Sequence, residues 1–189
     1  MAAPGVLFAG AAIAGPFGFD LKSSVEPSRL YSFCEEGDGG HWNYECTTAP
    51  KPHPDMDTYL LHFVKGVGVC GVRSAITDIY TDSSGSILRN KTDSIANQIK
   101  LKYGQWSIKI DELEGNSFDS PLFWTYSLSE GLRDYDYYWG SSGLSAAHRS
   151  SIDRILVMTE AFSSSEGLIL IDFYTPLTSL PLKARVACA

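Results

Sequence analysis

Leu88, Ile95, Ile99 and Tyr103 recur at steps of seven and then four, which sets them on one face of a helix. Arg89, Lys91, Asp93, Asn97, Lys100 and Lys102 fall largely on the other sides, so the helix is amphipathic with one face to bury. Lys100 and Lys102 complement the carbonyl end of its dipole, and Gly104 offers a left-handed stop. At the other end Asp82, Ser83 and Ser84 are N-cap candidates ahead of Gly85. The pattern predicts a helix over about 86–103, and a one-sided helix of this kind needs a sheet to lie on.

The flanks supply one. Residues 106–110 alternate apolar and polar, and 111–116 read as a turn. From 132 to 139 the alternation puts Arg133, Tyr135, Tyr137 and Trp139 on one side and Asp134, Asp136 and Tyr138 on the other. Residues 59–64 and 69–80 read as strands, with Cys70, Val72, Ile76 and Tyr80 sharing a face in the second. Residues 152–162 and 168–174 are strand-like and joined by a longer-loop hairpin at 163–167. A weak helix or turn falls near 25–30, and the three prolines between Thr48 and Asp55 mark an extended connector outside any central ladder. Short connections favour antiparallel pairing. The expectation is an α+β fold, a mainly antiparallel sheet of about five to seven strands covered by one principal helix.

A chain of 189 residues fits one domain, taken as 15–189. Its net charge of −7 and lack of clustered Lys and Arg argue against a nucleic-acid partner. Residues 1–14 form an apolar, signal-like segment in which Ala12-Ile13-Ala14 supplies a cleavage pattern before Gly15. The run is too short to span a bilayer, so no membrane span is expected. No Lys or Arg precedes it, which leaves open a retained N-terminal arm that docks into a larger membrane-associated assembly.

An export signal with four cysteines implies an oxidising, periplasmic or extracellular setting and up to two disulfides. Three connectivities are possible. Cys34–Cys46 closes a local loop, and that choice leaves Cys70 with Cys188. A metal site from Cys34, His41, Cys46 and His53 matches no common zinc spacing, and Asp78 to Gly85 lacks the alternating ligands of a calcium loop. Neither metal nor cofactor is expected. No Gly-x-Ser-x-Gly elbow accompanies Ser163-Ser164-Ser165, and His62 reads as structural within its apolar strand.

Two groups of residues are binding candidates. Trp42 and Tyr44 lie on the Gly-rich loop between Cys34 and Cys46, where rigid aromatic contact area is available. Asp134, Tyr135, Asp136 and Tyr138 form the aromatic–acidic stretch of the 132–139 strand.

Five short pieces are similar to an uncharacterised family of small exported, periplasmic bacterial α+β proteins. They are Pro16-Phe17-Gly18-Phe19-Asp20, Pro52-His53-Pro54-Asp55, Gly68-Val69-Cys70-Gly71-Val72, Lys102-Tyr103-Gly104, and the segment from Trp124 through Leu128 and Arg133 to Trp139. The resemblance implies a compact periplasmic domain with no established activity, and its late cysteine supports pairing Cys188 with Cys70. The favoured expectation is an exported, non-enzymatic binding or accessory domain that recognises a protein or envelope component. The alternatives are the assembly subunit with a retained arm, and a glycan or peptide hydrolase using Asp134, Asp136 or a His as acid and base.

Overall fold

The computed structural model describes residues 15–21, 23–38, 40–115, 118–176 and 188; the signal-like segment 1–14 lies outside them. The described strands are β1 (Cys34–Glu36), β2 (Tyr44–Cys46), β3 (Thr58–Val64), β4 (Gly68–Tyr80), β5 (Ile108–Leu113), β6 (Arg133–Trp139), β7 (Arg154–Ser163) and β8 (Glu166–Tyr174). They build one eight-stranded sheet in the order β1-β2-β3-β4-β8-β7-β6-β5, antiparallel throughout. The sheet is two four-stranded meanders joined where β4 meets β8. The helices are α1 (Pro27–Leu30), α2 (Ser86–Tyr103) and α3 (Trp124–Ser129).

The helix α2 has the predicted bounds and carries the chain from the sheet centre to the far edge, where β5 begins. Leu88, Thr92, Ile95, Ala96, Ile99 and Tyr103 are its buried stripe. Against them stand Ile155 and Val157 of β7, Ile169, Ile171 and Phe173 of β8, and Tyr135, Tyr137 and Trp139 of β6. Thr92 donates to its own helix at Leu88 O (3.0 Å) or shares its hydroxyl with Thr159 of β7 (3.0 Å), so the one polar position on the stripe is satisfied. Residues near the start of the described chain cover the other half of this face, Phe17 meeting Tyr59 and Phe173 edge-on and Phe19 meeting Tyr31.

Asp82 caps the entry to α2, accepting from the Ser84 hydroxyl (2.7 Å) and from the Ser86 N–H (3.1 Å) and hydroxyl (3.0 Å). These bonds, that from Ser84 foremost, hold its carboxyl below the usual range. At the exit Gly104 does not adopt the left-handed helical conformation expected of it. It sits at φ 116°, ψ −176°, a region essentially reserved for glycine. There its backbone bridges to Leu144 and its carbonyl receives the Trp139 indole N–H at 2.8 Å.

Both expected disulfides are present. Cys34–Cys46 joins residues directly opposite each other on β1 and β2, and Cys70–Cys188 spans 118 positions.

Several expectations need correction. The strand after α2 runs from Ile108 to Leu113, so 111–113 are not turn, because each pairs with β6 (Asp111 with Tyr135, Glu112 with Asp134, Leu113 with Arg133). Trp106 stands outside it, edge-on to Tyr137 and Trp139 with Lys100 over its ring. Tyr80 does not share the core face of Val72 and Ile76. The β4–β8 register shifts between Ile76 and Ile79, Asp78 takes φ 53°, and Tyr80 is turned to solvent. Cys70 is likewise out of phase, at the bulge opposite His62 and Phe63. The β7–β8 connection is a tight turn with Ser163 paired to Glu166. The strand count exceeds the range of five to seven because β1 and β2, three residues each, are too short to leave an alternation signal.

A Cβ at Gly104 would collide with the Gly143 carbonyl, whereas one at Gly66 (φ 79°) meets nothing within 4 Å. Gly104→Ala is expected to lower unfolding free energy by about 2–4 kcal/mol through strain plus displacement of the neighbouring loop, and Gly66→Ala by about 1 kcal/mol through backbone strain alone. Urea titration of the two variants checks this; equal losses would remove the contact with Gly143 from the account.

Candidate functional site

All three helices pack on one face of the sheet: α2 through its stripe, α3 through Trp124 against Tyr135, and α1 through Ser28 beside Tyr44. Strand alternation then assigns the opposite, uncovered face. Its middle row is Leu60, Arg73, Asp172, Leu156, Tyr138 and Ile108, taken from β3 across to β5. Arg73 donates two bonds to Asp172, at 2.6 and 2.7 Å, and Asp172 is 1% exposed. Those bonds hold the guanidinium above its ordinary value although burial works against them. Tyr174 adds a hydroxyl at 3.0 Å, and Arg154 lies over the Tyr174 ring at 4.1 Å.

The sequence candidates divide between the two faces. Trp42 folds back over the sheet, its ring 4.7 Å from the Arg73 guanidinium and close against Gly71, where a Cβ would come within 3.1 Å of the indole. Asp134, Asp136 and Tyr138 share that face, as the alternation required. Tyr44 and Tyr135 do not. They are 5% and 3% exposed on the helix side, Tyr44 edge-on to Phe63 and Tyr135 against Trp124, so neither ring is placed to touch a partner. The reason is the even spacing itself: Tyr44 pairs with core-facing Leu61, and Tyr135 follows Arg133 by two.

Asp136 has a special position. Pairing of β6 with β7 stops at Tyr137–Val157, and the Asp136 carboxylate accepts the Thr159 N–H (3.1 Å) that would otherwise lack a ladder partner. Burial, with the charges of Asp134 and Glu160 added, pushes its carboxyl up to about 6. The histidines stand elsewhere. His41 and His62 have ring centroids 3.9 Å apart at the β3 side, four strand spacings or about 19 Å from β6. His53 meets Gln98 at 3.0 Å, and His148 packs on Tyr103. Among the described residues no group of three or more His, Cys, Asp or Glu is arranged to hold a metal. No helix among them is long and apolar enough to cross a membrane.

Two features escaped sequence reasoning. The first is a polar pin between α2 and the β5–β6 edge: Asp93 accepts from Tyr135 (2.7 Å) and Tyr137 (2.5 Å), and Lys109 reaches Tyr135 (2.9 Å). Burial first, then Asp93, raises both tyrosines, so they stay protonated and serve as donors rather than bases.

The second is an apolar surface. Of the ten exposed large apolar side chains among the described residues, six gather at one end: Tyr80, Ile87, Leu122, Phe123, Tyr126 and Phe162, 37–72% exposed. Backbone bonds join their segments. Thr81 N–H meets Ser165 O in the β7–β8 turn, and Thr125 N–H meets Ser83 O ahead of α2. Phe118 packs on both Phe123 and Tyr126 (5.9 and 5.2 Å). The only sequence trace is the apolar pair after Pro121, in a three-residue turn just ahead of the six-residue α3, and both are too short to show a helical period.

Asp136 sets a pH dependence. Its folded-state value stands above the ordinary carboxylate value, so the stability tied to it is full below about pH 4 and is lost as pH rises through about 6. Asp136→Asn keeps an acceptor for Thr159 and is expected to be more stable than the parent by about 1–2 kcal/mol at pH 8, allowing for solvent screening, with the gap closing by pH 4. Urea unfolding across that range reads it, and a constant gap would show that the carboxyl titrates normally. No protein-family model, curated protein or solved structure matches this chain.

Proposed function

We propose that the chain is an exported, non-enzymatic binding or accessory domain that recognises a protein partner through its apolar end. The observation that carries this reading is the gathering of six large, solvent-facing apolar side chains where β4, the β7–β8 hairpin, the first turn of α2 and α3 meet. Scattered exposed apolar residues are ordinary on a monomer, but their concentration on segments that meet at one end points to an interaction surface. The uncovered sheet face ranks second. Leu60, Leu156 and Tyr138 of its middle row are half-buried by their own neighbours, and Ile108 at the edge strand is exposed alone, the usual state of an antiparallel sheet with one face in water.

Asp82, Asp119, Glu130 and Glu166 lie on the same segments as the apolar group. Such a rim is repelled by an anionic lipid surface and favours a protein carrying apolar anchors and basic neighbours. The two disulfides suit an oxidising compartment, which agrees with export and with the periplasmic family that the sequence resembles. Hydrolysis by Asp134 and Asp136 is disfavoured, since the pair stands on an open sheet surface with no histidine near it.

A photo-crosslinking residue placed at Phe123, with the same residue at Leu101 as an exposed control remote from the patch, tests the assignment in the native envelope. A discrete protein adduct at 123 and none at 101 is expected. The double variant Leu122→Asp, Phe162→Asp should reduce that adduct at least about tenfold while stability stays within about 0.5 kcal/mol, since both side chains are exposed. Equal adducts at both positions, or lipid adducts alone at 123, would remove the protein-docking reading.

A further inference from the structure

Away from the apolar end, a cavity of about 500 Å³ opens between α2 and the proline-rich connector. Ile171 and Phe173 of β8 line it together with Ile95 and Ile99 of α2, and Phe17 and Met56 add further apolar surface. Its lining follows α2 from Ile95 to Tyr103, eight residue steps and so about 12 Å along the axis. The volume is that of a small-molecule site.

The charge of the lining runs against the rest of the molecule. The chain has 22 acidic and 15 basic residues, yet among the described residues no Asp or Glu lines the cavity, and the two charged residues that do are Lys51 and Lys102. Neither lysine makes an ion pair among the described residues; Lys102 lies over the Tyr103 ring at 4.9 Å. His53 and Gln98, bonded to each other at 3.0 Å, are further polar members. An elongated apolar cavity whose only formal charges among the described residues are two cations without an ion-pair partner there is complementary to a molecule with a hydrocarbon body and one anionic end.

We propose that this cavity binds a free medium-chain fatty acid, with the chain laid along α2 over Ile171 and Phe173 and the carboxylate at Lys51 and Lys102. The apolar end of the molecule takes no part, and the two sites are read by different residues.

The test is calorimetric titration of the full, oxidised chain with dodecanoate, 1-dodecanol and dodecyltrimethylammonium, each below its micelle concentration. Dodecanoate should bind saturably and at least about tenfold more tightly than the ammonium amphiphile. Lys51→Met with Lys102→Met should weaken dodecanoate by at least about tenfold and leave dodecanol within about threefold, since only the charge-assisted bonds are removed. Both lysines lie at the surface, so the variant should fold. Nuclear Overhauser contacts from labelled dodecanoate should reach the methyl groups of Met56 and Ile99. Absence of saturable binding, an unchanged affinity in the double variant, or contacts to Leu122 instead would each overturn the proposal.

Discussion

The pairing of β4 with β8 holds the molecule together. Residues about a hundred positions apart meet there in register, Arg73 opposite Asp172 and Gly71 opposite Tyr174, and without that ladder the two meanders would be separate four-stranded sheets. Bridging such a separation carries a loop-closure penalty. Three further interactions reinforce the seam: the doubly bonded Arg73–Asp172 pair, the Thr175 N–H to Cys70 O bond, and the Cys70–Cys188 bridge. Asp172 is buried on the sheet face while Arg73 keeps some exposure, and Tyr174 adds a third donor, which is the circumstance in which such a pair offsets its desolvation.

The seam also explains why the two sides of the sheet differ. Because the chain leaves β4 at the centre and must restart at the outer edge, α2 is obliged to cross one face, and its stripe turns that face into the core. The same crossing gathers α3, the β7–β8 hairpin and the start of α2 at one end, where their apolar side chains have no further layer to pack on among the described residues. At the other end, the helix and the proline-rich connector stay far enough apart to leave the cavity.

Much of the fold was legible because periodicity reports burial. The helix was readable to its bounds from Leu88, Ile95, Ile99, Tyr103 and Gly104, and the faces of β6 from strict alternation. Tyr80 was misplaced because a bulge at Asp78 shifts the phase, and nothing in the residue types there announces a bulge. The order of strands was not legible at all, since the sequence contains neighbours in the chain and β4–β8 is a pairing between distant ones. For the same reason sequence reasoning grouped Tyr44 with Trp42 and Tyr135 with Asp136. Tyr135 and Asp136 are neighbours on one strand and so face opposite ways, and Trp42 lies in the loop ahead of β2 and folds independently of Tyr44, while the surfaces that matter join segments from four separate elements.

The Cys70–Cys188 bridge has a topological consequence. It closes residues 70 to 188 into a covalent ring that contains all but the first residues of β4, all of α2 and the whole second meander. A single backbone cut inside that ring opens it but sets nothing free, because both sides of the cut remain joined through sulfur. A cut ahead of Cys70, in the connector between β2 and β3 for example, leaves β1 and β2 stapled to each other but attached to the rest by hydrogen bonds and packing alone. Under proteolysis the chain is therefore unequally durable: the portion bearing α2, α3 and the apolar end survives a nick as one covalent body, and the amino-terminal strands do not.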